Sequence, residues 1–457
     1  MNSDKKSFIA IDIGASSGRH IYAEFKEGKL TAKEIYRFPN GVKEKNGRLC
    51  WDVDSLIDNV INGLREAHNK GLDSEYVAID TFGVDYVLLN KNNEPVSDFV
   101  SYRDHRTDNY ENDITEKISF RDAYEIAGIQ KMAINTVNQL AAQFKANPEE
   151  FEKADKLVFI PDYLNFVLTG KVHCEYTDAS TSGLLDARTR DWSDKLISAL
   201  GLPKKIFMKP ELPGKIIGSV TDKIKNLIGF CPEVVLIAGH DTGSAVLSVP
   251  DRNSIYISCG TWSLIGISAD SPIISDEAFN ENFTNEGGFF GDIRFLRNIT
   301  GLWIIQSLKK ESGLSYDEIM NLAKENVSTP LRIDINHPDF LSPSSMEEAI
   351  ASHLPEGTTA GETYAAIYLS LAESYNRAAE GLERVCKKTF DKIVLMGGGV
   401  RDPLLCELTE KATGKTLIKG SPEATALGNL AGQLIASDTV KNQEEINEIL
   451  QSAEFIK

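Results

Sequence analysis

The chain has 457 residues, 42% of them hydrophobic and 25% charged, and sets 49 basic against 67 acidic side chains for a formal charge of −18. That composition is globular and excludes collagen-like, disordered and coiled-coil chains; at ~150 residues per domain the length suggests two or three domains. A surface this acidic repels nucleic acid and anionic membranes, and no Lys/Arg-rich run offsets it, so neither is expected as a partner.

Residues 1–7 are polar, and Asp12 interrupts the apolar run behind them too early for a secretory signal. No stretch approaches the ~18 apolar residues of a membrane span. Cys50, Cys174, Cys231, Cys259, Cys386 and Cys406 lie far apart with no CxxC, the pattern of reduced thiols and not of a disulfide frame or zinc site. The expected location is cytoplasmic.

Residues 8–14 (FIAIDIG) form a predicted strand ending at Gly14. A turn over residues 15–19, a strand from His20 and a tight turn at Glu27–Lys29 lead into a third strand, residues 31–38: an antiparallel meander. Asp54 is placed to cap a helix whose Leu56, Ile57, Val60, Ile61 and Leu64 recur at helical spacing. Strands are predicted at residues 76–80 and 84–89, and residues 113–212 read as helix-rich without a sheet pattern. A further strand, 234–238, runs into Gly239-His240-Asp241-Thr242-Gly243. Strand 254–259, a turn at 260–262 and strand 263–268 follow, then a long helix over 362–388, a strand over 392–396 ending in three glycines, and a small-residue helix over 423–436. Strands interleaved with helices define an α/β fold.

A short internal repeat links the halves. Residues 9–17 lie over 255–263 with the apolar alternation, the glycine and the final serine in step, and with Asp12 opposite Ser258. Two such hairpin turns, rich in glycine and hydroxyls, offer backbone amides to anionic oxygens; read singly, each is better explained as an ordinary hairpin turn. No GxxxxGK[ST] is present. Asp12, inside an apolar strand, needs a positive partner. Magnesium carried by a nucleotide, reached directly or through water, is one candidate, and Arg19 is the other. Asp241 follows a buried-type strand, where α/β sheets place catalytic groups, and its glycine neighbours permit close ligand approach. Tyr102 to Arg106 is a polar loop suited either to binding hydroxyls or to solvent, and Trp303 reads as core.

IDIGASSGR (11–19), IDTFGVDYVLL (79–89), SYRDHRT (101–107), PDYLNFVLTGK (161–171), EYTDAS (175–180), GHDTGSAV (239–246), SCGTWSLIG (258–266), NEGGF (285–289), RNITGLWIIQ (297–306), LMGGGVRDPLL (395–405) and EATALGN (423–429) occur in order. Together they resemble the FGGY carbohydrate kinases over residues 8–435. The resemblance implies two actin-like, ribonuclease-H-like lobes of the sugar kinase/actin/heat-shock chaperone ATPase superfamily, divided as residues 1–239 and 240–457, with ATP and sugar meeting in the cleft. It implies a nucleotide site at Ala15, Ser16, Ser17, Gly18, Arg19, Thr261, Gln306 and Gly398, magnesium near Asp12, and a sugar site at Gly83, His240, Asp241, Thr242 and Asn298. Asp241 is the implied proton acceptor. The expected reaction moves the γ-phosphoryl of MgATP to the 1-hydroxyl of a ketose. L-rhamnulose is the first expectation and an L-fuculose-derived ketose or L-xylulose the alternative; a sugar sensor without turnover is the reading from another class. Phe82 and Cys259 depart from the usual tryptophan and serine.

Overall fold

The computed structural model of the chain describes residues 5–456. In the first half, β1 (Lys6–Ile13), β2 (Ser17–Lys26) and β3 (Lys29–Pro39) form an antiparallel meander. β4 (Tyr76–Thr81), β5 (Lys215–Ser219) and β6 (Glu233–Leu236) extend the sheet on the other side, in the order β5-β6-β4-β1-β2-β3. β1 is apolar almost throughout because helices cover both of its faces. Ile9, Ile11 and Ile13 pack with Leu56, Val60 and Leu64 of the helix Val53–Asn69. The alternate residues Phe8 and Ala10 pack with Ala426, Leu430 and Leu434 of the helix Ala424–Ala436. Strand alternation therefore puts Asp12 on the second face, the one the 424–436 helix covers.

The second half repeats the plan. β7 (Ile255–Cys259), β8 (Trp262–Ala269), β9 (Thr284–Gly287), β10 (Ile293–Thr300), β11 (Lys392–Met396) and β12 (Thr416–Lys419) take the order β9-β10-β8-β7-β11-β12. Three antiparallel strands followed by two parallel ones, β10-β8-β7-β11-β12, reproduce β3-β2-β1-β4-β6. The repeat seen in the sequence is thus the central hairpin of each sheet. Its register needs one correction: the pairs nearest the turns are Ile13↔Gly18 and Cys259↔Ser263, so the second turn is one residue shorter. Asp12 does correspond to Ser258, but Ser263 corresponds to Gly18, not Ser17.

The helix Val53–Asn69 is capped by Asp52, whose side chain accepts from the Ser55 amide, with Asp54 in the first turn instead of at the cap. The long helix runs Ala360–Cys386, started by a capping box between Thr359 and Glu362. The middle segment holds short strands after all: Lys156–Phe159 pairs with Tyr86–Leu89, and Leu185–Asp186 with Asp191–Trp192. After the second sheet the chain returns to the first. Gln433 donates to the Ile9 carbonyl at 3.1 Å, and the strand Glu454–Phe455 pairs with β3. Among the described residues no helix is long and apolar enough to cross a membrane.

Candidate active site

The two central hairpins turn toward one another across a cavity of about 310 Å³. Ala15, Ser16 and Arg19 of the first hairpin and Thr261 of the second are among its lining residues, as are Gly83, His240, Asp241, Thr242, Asn298, Gln306 and Gly398. Asp12, Ser17 and Gly18 are not among the lining residues. Ser17 closes the turn through its carbonyl, which accepts from the Gly14 amide at 2.9 Å. A Cβ on Gly18 would stand 2.1 Å from Phe38 Cζ, so the hairpin packs on β3 only with glycine there.

Asp12 faces Arg19 across the hairpin. Arg19 Nε and Nη2 donate to its Oδ2 at 3.0 and 2.8 Å, and Arg19 Nη1 holds Glu423 at the start of the 424–436 helix. Burial opposes the Arg19 charge, but Asp12 and Glu423 outweigh it and keep the guanidinium protonated. Arg19, one of the two partners the sequence allowed for Asp12, is in contact with it. Parallel register sets Asp12 beside Asp80. Asp80 is buried, accepts from Asn429 Nδ2 at 2.6 Å through Oδ2, and has no hydrogen-bond partner at Oδ1. Burial, then the charge of Asp12, drives its pKa well above the usual carboxylate range.

Asp241 opens the helix Asp241–Leu247 directly behind His240. Its Oδ1 accepts from Thr242 Oγ1 at 3.1 Å, and its side chain keeps 30% exposure, into the cleft. Desolvation, then the nearby Asp12 charge, pushes its pKa up to about 7. A carboxylate poised near neutrality suits proton acceptance at physiological pH.

Behind Asp241 runs a buried polar chain. Arg294 is fully buried, sits 3.2 Å from Glu286 Oε2, and places Nη2 3.1 Å from His240 Nδ1. A guanidinium only donates, so Nδ1 accepts and the ring proton resides on Nε2, 3.5 Å from Asp241 Oδ1. Burial and the Arg294 charge depress the His240 pKa, which keeps the ring neutral. Asn298 is fixed from both sides: Gln130 Oε1 accepts its backbone amide at 2.9 Å, and Glu286 Oε1 accepts from Nδ2 at 3.4 Å. A Cβ on Gly83 would lie 3.1 Å from His240 Cδ2. The next residue, Val84, has φ 68°, a conformation β-branched residues avoid and one that is retained where a site demands it.

On the second hairpin Thr261 Oγ1 donates to Gln306 Oε1 at 3.3 Å, and the Trp303 amide bonds to the Thr261 carbonyl at 3.2 Å, tying the turn to the helix Trp303–Ser312. Gly397 has φ 81°, and a Cβ there would meet the Cys259 carbonyl at 2.8 Å. At Gly399 a Cβ would lie 2.3 Å from Cys259 Sγ, so the thiol fills the space under the glycine loop. Phe82 is buried and stacked on Trp51, ring centroids 4.1 Å apart. Trp303 is half-buried and carries the Arg103 guanidinium 4.0 Å over its ring, so it joins the 101–107 loop to the second half as well as packing on the core.

Sequence reasoning missed Glu286, Arg294 and Gln130. Arg294 had a signal: in β10 it shares the strand face of Asn298, where a charged residue among apolar neighbours asks for a partner.

A profile of the FGGY family of carbohydrate kinases, N-terminal domain, matches residues 7–248, and that of the C-terminal domain matches residues 255–437. The chain belongs to the FGGY family of carbohydrate kinases; it is an ATP-dependent sugar kinase built of two actin-like lobes. It is 40% identical to the rhamnulokinase of Halalkalibacterium halodurans over 98% of this chain and 97% of that one. It is likewise 40% identical to the rhamnulokinase of Oceanobacillus iheyensis over 97% and 96%. In fold it is similar to a ligand-bound xylulose kinase from Lactobacillus acidophilus (TM-score 0.80, 16% identity, 97% and 92% covered). Plasmodium falciparum glycerol kinase with ADP shares the fold too (TM-score 0.76, 14% identity, 98% and 94% covered).

Proposed function

We propose that this chain transfers the γ-phosphoryl group of ATP to the 1-hydroxyl of L-rhamnulose, giving L-rhamnulose 1-phosphate and ADP, in cytoplasmic L-rhamnose breakdown. The observation that carries the catalytic part is Asp241, a carboxylate with a pKa pushed to about 7 at the junction of the two lobes. The substrate rests on the rhamnulokinases at 40% identity over nearly their whole length.

Phosphoryl transfer asks mainly for positioning and neutralised charge. The turn residues Ala15, Ser16, Thr261 and Gly398, with Gln306, receive the nucleotide; Gly83, His240, Thr242 and Asn298 receive the sugar hydroxyls. Asp241 takes the proton of the attacking hydroxyl, and His240, neutral with its proton on Nε2, donates toward the sugar. Arg294 acts through His240 as a positioning residue. Closure of the lobes excludes water and limits ATP hydrolysis.

Magnesium fits this acidic floor. Asp80 Oδ1 is buried without a partner beside Asp12, and burial, then the Asp12 charge, raises the pKa of both Asp80 and Asp241. An ion arriving on the nucleotide would be held here by Asp12, directly or through water. Bound there, magnesium would neutralise phosphate charge.

A panel of ketoses in a coupled ADP-release assay tests the reading. L-Rhamnulose should exceed L-fuculose and L-xylulose by at least ~10-fold in kcat/KM, because a misplaced hydroxyl leaves buried polar groups unpaired. A better rate on another ketose overturns the substrate, and ADP release with none of them overturns the choice of ketose altogether.

A further inference from the structure

Outside the cleft, we propose that His337, Asp339 and His353 form a binding site for a divalent transition metal of the zinc class. His337 and Asp339 belong to one tight turn around Pro338–Phe340, and His353 follows the helix Met346–Ala351. His337 Nδ1 lies 3.3 Å and His353 Nε2 2.9 Å from the same Asp339 oxygen, and the three ligand atoms are all within 4.8 Å of one another. The imidazole centroids are 4.4 Å apart, and both rings pack on the buried Phe340. Ligands ~2.0–2.2 Å from a tetrahedral zinc stand ~3.3–3.6 Å from each other, so small adjustments bring these atoms onto one ion. Two imidazoles and one carboxylate suit zinc and its transition-metal neighbours; magnesium and calcium prefer all-oxygen sets. The side chains are 39%, 53% and 24% exposed, which leaves an open side for water as the remaining ligand.

Without a metal the cluster is held by weaker means. Asp339 Oδ2 accepts from His353 Nε2 at 2.9 Å, and the Asp339 amide donates to His337 Nδ1 at 3.3 Å. A metal would take over those lone pairs and close the chain between residues 337 and 353 into a clipped loop, which stabilises it against opening. The clip lies beside a contact between the two halves, where the Leu341 carbonyl accepts from Arg103 Nη1 at 2.9 Å; the neighbouring Phe340 carbonyl accepts from Trp303 Nε1 of its own half at 3.0 Å. None of the three residues has a role in phosphoryl transfer, so the site stands or falls independently of the proposed substrate.

The test is a zinc titration of chelator-stripped full-length protein by calorimetry, with excess magnesium present to occupy hard-oxygen sites. Cobalt is titrated in parallel and followed by visible absorption. The parent protein should bind one zinc per chain more than His353→Gln and Asp339→Asn, or bind it at least tenfold more tightly, and should show low-coordinate cobalt bands that both variants lose. Zinc should raise the thermal midpoint of the parent and leave those of the variants unmoved. Unchanged circular dichroism establishes that the variants fold; should one of them not fold, His337→Gln takes its place. Equal affinity and stoichiometry in parent and variants, meaning an adventitious surface ion only, overturns the site, as does a parent that binds no zinc at millimolar concentration.

Discussion

The two central hairpins have the same neighbours in the same order and different electrostatic characters. At the position one pair back from the turn, the first carries Asp12 against Arg19 and the second carries Ser258 against Leu264. Beside Asp12 the parallel strand supplies Asp80; beside Ser258 it supplies Met396. The second hairpin instead turns its last paired residues into a neutral network, with Ser263 Oγ 2.7 Å from Tyr375 Oη and Cys259 Sγ 3.5 Å from the same hydroxyl. Repetition of the fold therefore supplies two matched turns, while the chemistry arises from breaking the symmetry: one turn sits over an acidic floor and the other over a neutral one. A nucleotide whose phosphates arrive with a cation has one side of the cleft suited to the cation and one suited to hydroxyl and amide donors.

The largest expected effect removes the proposed base on the acidic side. Asp241→Asn keeps shape and hydrogen bonding but cannot take a proton, so kcat should fall by at least ~10²-fold while sugar binding survives in calorimetry. Near-parental turnover would reduce Asp241 to a first-turn residue of its helix. With both substrates well below saturation, the parent's kcat/KM should fall about tenfold per pH unit below about 7, because protonated Asp241 cannot accept the proton.

The hairpin comparison itself is sharpened by Asp12→Asn beside Ser258→Ala. Asp12→Asn should lower kcat by ~10-fold or more and move the acid limb of the pH profile downward, since losing a neighbouring negative charge favours ionised Asp241. Ser258→Ala should stay within about twofold. If both variants behave alike, the charge asymmetry has no part in catalysis.

These contrasts mark where the sequence was legible. Asp12 stands out from sequence because an acid in an apolar strand needs a physical reason, Gly14 and Gly260 because each ends such a strand, and Asp241 because it follows a buried strand between glycines. The partner of Asp12 was narrowed to two candidates and no further, since strand register brings Arg19 opposite it only once the loop length is fixed. That loop length was hidden: aligning Ser17 with Ser263 looks natural in one dimension and is wrong by one residue in the ladder. The stacking of Phe82 on Trp51 joins residues on separate elements, and no local pattern reports it. Likewise the return of the 454–455 strand to β3 rests on two residues, too few to carry a periodic signal.

Arg294 belongs to the sheet of the second hairpin but reaches the acidic side through His240. Arg294→Lys keeps a charge for Glu286 and loses the fork that addresses His240 Nδ1, so KM for the sugar should rise ~10-fold with KM for ATP unmoved. A merely structural role would instead move both constants or only the thermal midpoint. On the second hairpin, Thr261→Val removes the hydroxyl that meets Gln306 and should raise KM for ATP by ~2–10-fold, with little effect on the sugar constant. Equal effects on both would mean that this turn shapes the cleft without contacting the nucleotide.

The smallest effect concerns Phe82, which stands between the cavity and Trp51. Its ring is 6% exposed and lies nearly parallel to the indole, at 24°, while Trp51 Nε1 is anchored to Asp85 Oδ2 at 2.6 Å. The stack therefore has little freedom to slide, and the added bulk of Phe82→Trp must go toward the cavity or strain the pair. Overpacking of this kind typically costs ~1–3 kcal/mol, so a lower thermal midpoint is expected. Directed into the cavity, the larger ring narrows the space beside Gly83 and His240 and leaves the hydrogen-bonding groups where they are. Discrimination against an epimer depends on those groups, so the preference for L-rhamnulose over L-fuculose should stay at or above ~10-fold in kcat/KM. The ratio is measured on both sugars with one enzyme preparation, which cancels any loss of folded protein. A ratio that collapses or inverts would show that the ring at position 82, and not the polar set around His240 and Asn298, chooses the sugar.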